Sequence, residues 1–208
     1  MLDRLLAASA IQETAPPPLP PGFDMLSGSA QERADAMSEV YMPISEESGK
    51  LLYSLIRASR PATIVEFGTS FGISTIFLAS AVADNRQGHV FSTELSAAKV
   101  QAARSHLAEA GLGDQVTILS GDARDTLADV PGPIGLVLLD GWKEMNLPLL
   151  KSLESRLASG AVIAGDDISF ESMTNYLQYV RDPANGYISV AFPVADGMEI
   201  SCWLGARP

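Results

Sequence analysis

Cysteine is nearly missing from this 208-residue chain. Cys202 stands alone in the apolar run ISCWL, so no internal disulfide can form; it reads as a small core residue and the chain fits a reducing cytosol. Basic residues are scarce as well, with 14 Lys and Arg against 25 Asp and Glu. The resulting formal charge of -11 opposes a phosphate backbone, and no Lys/Arg cluster forms a local basic patch, so nucleic acid is not an expected partner. No apolar run approaches the roughly 20 residues that span a bilayer, and no membrane association is expected. In MLDRLLAASAIQE, Asp3 and Arg4 interrupt what would have to be the apolar part of a secretion signal, while the apolar residues recur at helical spacing. The segment reads as a short amphipathic helix, docked on its own domain or engaged with a partner; a homodimer stays open.

At 208 residues and 47% apolar content the chain is long enough for one domain with a sizeable core and too short to make two comfortable ones. Proline concentrates in PPPLPPG, Pro16 to Gly22, a stiff tether that can be neither helix nor interior strand. The expected organisation is therefore an N-terminal helix and linker over residues 1–28 and one domain over 29–208. Ser29 can cap a helix through AQERADAMSEVYM, and Ser45, with Glu46 and Glu47 behind Pro43, can start another through GKLLYSLIRAS.

From Ala62 onward short apolar strands alternate with helices. The pattern predicts strands at Thr63 to Phe67, His89 to Thr93, Val116 to Ser120, Ile134 to Asp140 and Ala161 to Gly165. Helices are predicted from about Ile73, Ser96, Ala123 and Leu147, and another near Ser172 to Arg181. Such alternation makes an α/β fold, a parallel sheet covered by helices on both faces. Tyr187 to Pro193 and Met198 to Leu204 are separated only by a turn around Asp196 and Gly197, which ends the sheet in an antiparallel hairpin.

The chemistry gathers at the carboxyl ends of these strands, where parallel sheets bind ligands. LVLLDGWK, Leu136 to Lys143, is a strand buried on both faces that ends in Asp140, with Lys143 about one turn beyond. The first strand enters VEFGTSFGIST, where Gly68 and Gly72 permit a tight turn and close approach to a ligand, and the next helix offers free N–H groups to an anion. Glu94 ends the second strand, where it can accept hydrogen bonds from both hydroxyls of a ribose. GDAR, Gly121 to Arg124, follows the third strand within reach of a nucleobase. Asp166 and Asp167 follow the fifth strand, so three hard oxygen donors, with Asp140, arrive at one sheet edge and suit Mg²⁺ or another divalent cation. A glycine that only turns, an acid that only caps a helix and solvated loop acids are the structural alternatives for each piece alone.

The succession of these pieces over roughly Met42 to Gly205 resembles the class I S-adenosylmethionine-dependent methyltransferases, whose Rossmann-like, seven-stranded sheet ends in a reversed hairpin. DGWK followed by LP, then GDDI, then DGME is similar to the catechol O-methyltransferase group of metal-dependent O-methyltransferases. The resemblance implies that Asp140, Asp166 and Asp167 hold the metal, that Lys143 is the general base, and that Glu199 holds the second hydroxyl of a vicinal diol. It places Met42, Ile44, Glu66, Gly68, Ser70, Gly72, Ser74, Glu94, Asp122, Ala123, Arg124 and Asp140 around S-adenosylmethionine. Ser74 would lie near the cofactor carboxylate, and Trp142 against the cofactor or the substrate entrance. The implied activity is methylation of a small aromatic hydroxyl, with a non-catechol natural product of polyketide or phenylpropanoid type as the rival acceptor and a non-catalytic cofactor-binding module as the rival class. Two positions depart from the pattern: Asp167 stands where the family usually has Asn, and Val40 where the mammalian enzymes have an aromatic gate residue.

Overall fold

The computed structural model describes residues 1–25 and 27–205. Helices α1 (Leu2–Thr14), α2 (Ala30–Ala36) and α3 (Glu46–Ser59) precede the sheet. Then come β1 (Thr63–Phe67), α4 (Ile73–Asn85), β2 (His89–Glu94), α5 (Ala97–Glu109), β3 (Val116–Ser120) and α6 (Ala123–Thr126). The second half holds β4 (Ile134–Leu139), α7 (Asn146–Leu153), β5 (Leu157–Asp166), α8 (Thr174–Arg181), β6 (Tyr187–Phe192) and β7 (Met198–Trp203).

The seven strands lie in the order β3-β2-β1-β4-β5-β7-β6. The first five in that order are parallel, and β7 runs antiparallel to both β5 and β6, as expected for the terminal hairpin. The chain moves outward from β1 through β2 to β3 and then returns to place β4 on the other side of β1. That reversal opens a crevice above the carboxyl ends of β1 and β4, the usual ligand position in such sheets.

β4 shows why an unbroken apolar run suits the middle of this sheet. Leu136 and Leu138 enter the core beneath α3, α4 and α5, Val137 and Leu139 enter the core beneath α7 and α8, and all four are fully buried. Below α4 the core meets α1, whose Leu5 is buried, while Arg4 pairs with Glu109 of α5 at 2.8 Å. The N-terminal helix thus docks on its own domain. Among the described residues no helix is long and apolar enough to cross a membrane.

The second helix is shorter than its sequence suggests. A capping box at Ser29 and Glu32 starts α2, but it ends at Ala36 instead of running through Met42. Gln12 of α1 takes the backbone instead, accepting from the Tyr41 N–H and donating to the Glu39 carbonyl, both at 2.8 Å, and Pro43 disfavours helical backbone at Met42. The freed segment becomes a strap across the loop after β1, with Tyr41 stacked on Phe71 at 4.2 Å. β5 begins earlier than expected, at Leu157, because a register shift in its pairing with β4 sets Leu157 opposite Ile134. The helix after GDAR is a single turn.

Candidate active site

Gly68 and Gly72 both have positive φ, +104° and +87°, and the loop between them turns beneath the strap. A Cβ at Gly68 would lie 2.7 Å from the Asp140 carbonyl oxygen, so the cofactor loop and the start of DGWK touch backbone to backbone. The Asp140 N–H donates to the Phe67 carbonyl at 2.9 Å, which fixes that approach. Met42, Pro43, Ser70, Phe71 and Ser74 line a small cleft between strap and loop. Met42 and Ser74 therefore line one cleft, whereas Ile44 is buried in the core beneath.

Glu66 supports this loop from inside. It is fully buried; one carboxylate oxygen accepts from Thr75 at 2.6 Å and from Ser92, and the other meets no hydrogen-bond geometry among the described residues. Burial pushes its carboxyl up to about 7 against these hydrogen bonds. Glu94 accepts from the Ser70 and Ser96 N–H groups, each at 2.8 Å, and so ties the loop to the start of α5. One lone pair on each oxygen remains for a hydroxyl. Asp122 caps α6 through the Arg124 N–H and holds the Arg124 guanidinium at 2.6 to 3.1 Å, and Ala123 is buried. Arg124, expected beside a base, is paired with its own neighbour.

On the other side of Asp140 the sheet gathers three carboxylates. One ligand oxygen from each of Asp140, Asp166 and Asp167 lies within 4.8 Å of the others. Lys143 reaches into the group, 2.8 Å from Asp140 and 2.9 Å from Asp167. Burial, then repulsion from Asp140 and Asp167, pushes the Asp166 carboxyl up to about 8, and burial raises Asp140 as well. Burial also opposes the charge on Lys143, but the two carboxylates outweigh it and hold the ammonium well above its ordinary range. One ammonium does not neutralise three acids, so a hard dication fits the donor set in charge and chemistry. Asp167 has φ +58°, a conformation that Asp and Asn tolerate better than most residues.

Glu199 lies opposite Gly165 on β5, next to this group but outside it. Its buried carboxylate accepts from Arg181 at 2.9 and 2.6 Å and from Ser189 at 2.6 Å. Burial alone would raise its carboxyl; Arg181 and Ser189 reverse the effect and hold it low. Trp142 carries the Arg33 guanidinium 4.5 Å above its ring, and Arg33 also pairs with Glu144, which clamps α2 onto DGWKE. Neither Arg33 nor Arg181 stands out in the sequence, since both are single charges in short amphipathic helices. Beside Lys143 a cleft of about 430 Å³ opens between α7 and α8, lined by Leu147, Pro148, Ser172 and Tyr176 among others.

The switch-point crevice carries a glycine cradle on one side and an acidic strand end on the other, the arrangement the resemblance to class I S-adenosylmethionine-dependent methyltransferases implies. The profile of a methyltransferase domain family matches residues 65–168, half of the chain. The catechol O-methyltransferase of Mycobacterium tuberculosis is 33% identical over 148 residues, covering 71% of this chain and 66% of that protein. Catechol O-methyltransferase B of Danio rerio is 29% identical over 178 residues, covering 79% and 66%. The chain thus spans about two thirds of the length of these curated relatives. The cofactor-bound structure of Rv0187 from MTB superposes with a TM-score of 0.74 at 26% identity, covering 97% of each chain. The chain belongs to this methyltransferase domain family and is similar, over most of its length, to catechol O-methyltransferases.

Proposed function

We propose that this protein is a cytosolic, Mg²⁺-dependent O-methyltransferase that transfers a methyl group from S-adenosylmethionine to a hydroxyl of a catechol-like small aromatic. The observation that carries the reading is the backbone contact between Gly68 and Asp140, which joins the cofactor cradle to a carboxylate cluster containing a lysine. A phenol has a pKa of about 10, so little of it is ionised at neutral pH. A divalent cation on Asp140, Asp166 and Asp167 would favour the phenolate and supply the positive charge that those carboxylates otherwise take from Lys143. Lys143 is then the group placed to accept the hydroxyl proton. The Gly68–Gly72 loop, Ser74 and Glu94 orient the methyl donor, and holding donor and acceptor in line can contribute on the order of 7 kcal/mol or more. Glu199, beside Asp166, would take a second hydroxyl by exchanging it for Ser189.

The cleft beside Lys143 favours a second acceptor class, an aromatic with an extended tail such as a phenylpropanoid thioester. The test is transfer of labelled methyl from S-adenosylmethionine to catechol and to a caffeoyl thioester, with Mg²⁺ and with excess chelator. Turnover should require the metal; full activity in chelator would remove the cation from the reaction. Lys143→Ala should lower kcat by about 10²-fold or more while the affinity for S-adenosylhomocysteine holds. Lost cofactor binding with intact turnover would refute the base assignment.

A further inference from the structure

Lys99 is the third residue of α5, which Ser96 caps, and its side chain is only 2% exposed. No hydrogen bond or ion pair reaches its ammonium among the described residues. It lies over the face of Phe71, 5.4 Å from the ring centroid, in the loop between Gly68 and Gly72. Phe71 is itself held by Tyr41 of the strap at 4.2 Å and, through its carbonyl, by His106 Nδ1 at 2.9 Å. An ammonium has three donors and no acceptor, and burying it without a partner is costly. A donor of this kind beside a ligand loop is available to an acceptor that a ligand brings.

The neighbouring anion indicates which ligand atom. Glu94 acts electrostatically on Lys99, yet its oxygens already accept from Ser70 and Ser96 and can add only donors such as ribose hydroxyls. A hydroxyl that donates to Glu94 still has lone pairs to fill. We propose that Lys99 is a cofactor-binding residue whose ammonium donates a hydrogen bond to a ribose hydroxyl oxygen of S-adenosylmethionine, opposite the carboxylate of Glu94. The inference rests on the cofactor reading above and extends it to a residue outside the loop and the strand ends. Among the described residues, Glu94 at the end of β2 is the charged group that acts on the ammonium, while His106, further along α5, and Tyr41 of the strap are the titratable groups on the Phe71 side.

Burial also lowers the Lys99 ammonium to about 8, against the pull of Glu94. The protonated form is the donor, so its contribution is complete at lower pH and is lost as pH rises through that value. The experiment is calorimetric titration of S-adenosylhomocysteine into the wild-type chain, Lys99→Met and Lys99→Arg, from about pH 7 to about pH 9.5. At neutral pH Lys99→Met should bind about tenfold more weakly, as expected for one hydrogen bond from a charged donor. Wild-type affinity should fall by a similar factor across the range relative to Lys99→Arg, which stays charged; ionisation of the ligand's own amine cancels in that comparison. Wild-type affinity in Lys99→Met would overturn the inference. If that variant does not fold, equal pH profiles for wild type and Lys99→Arg overturn it by themselves. A wild type that binds no S-adenosylhomocysteine at all would overturn the cofactor reading, and the inference with it.

Discussion

Replacing Gly68 by alanine should damage stability and cofactor binding together. The added methyl would lie 2.7 Å from the Asp140 carbonyl oxygen, 2.8 Å from its carbon and 2.9 Å from the Gly141 nitrogen. Neither backbone can easily retreat. Phe67 and Leu139 are register partners in β1 and β4, the Asp140 N–H is bonded to Phe67, and the Gly68 N–H is bonded to Thr93 at 3.2 Å. The φ of +104° adds conformational strain, costing roughly 1–2 kcal/mol for a residue with a Cβ, and overpacking costs about 1–3 kcal/mol more. The sum, about 2–5 kcal/mol, is a large part of the stability of a typical domain. Urea denaturation should show a lower midpoint with an unchanged slope, and affinity for S-adenosylhomocysteine should fall at least tenfold. Gly111→Ala is the control, because φ is +69° there but a Cβ would meet no atom within 4 Å, leaving only about 1–2 kcal/mol of conformational cost. A Gly68→Ala protein as stable as the control, with cofactor affinity intact, would refute the crowding argument.

Glu66 has its carboxyl raised from 4.5 to about 7, so the native state binds the extra proton and wild-type stability should fall as pH rises from about 4.5 through 7. The full effect is about 3–4 kcal/mol at about 1.4 kcal/mol per unit; Glu66→Gln should flatten the curve in thermal melts, and an unchanged slope would contradict it. Arg181→Met should strand the buried Glu199 carboxylate and cost about 2 kcal/mol, an amount reduced for the exposure of Arg181. The depressed Glu199 carboxyl contributes stability above its ordinary range that is lost on acidification, so the variant should also lose part of the acid-side slope in chemical denaturation. Asp167→Asn keeps the φ of +58° accessible and removes one of the repulsions on Asp166. It should retain the fold and divalent-cation binding and raise kcat, through a more electropositive cation; isothermal titration showing cation binding abolished would contradict that account.

Much of the architecture was legible because its signals are local. The buried run of β4 and the alternation of short strands with helices give parallel order, and the Asp-Gly turn gives the closing hairpin. The acids at strand ends could be grouped from their positions alone, because parallel strands deliver their carboxyl ends to one edge. The second helix failed locally: AQERADAMSEVYM reads as continuous helix, but Gln12 and Phe71, distant in sequence, draw its last residues into the strap.

Composition and periodicity by themselves determined one α/β domain and the gathering of acidic residues at its strand ends, because burial pattern and turn residues act over a few positions. Only the tertiary structure decided which partners those side chains have. Arg124 turns to Asp122, Arg181 to Glu199, Arg33 to Trp142, and Lys99 is buried beside the Phe71 ring with no carboxylate in ion-pair contact among the described residues. A charged side chain in sequence carries no direction. It acquires one when packing removes water and leaves it a particular partner, or a donor that a ligand can satisfy.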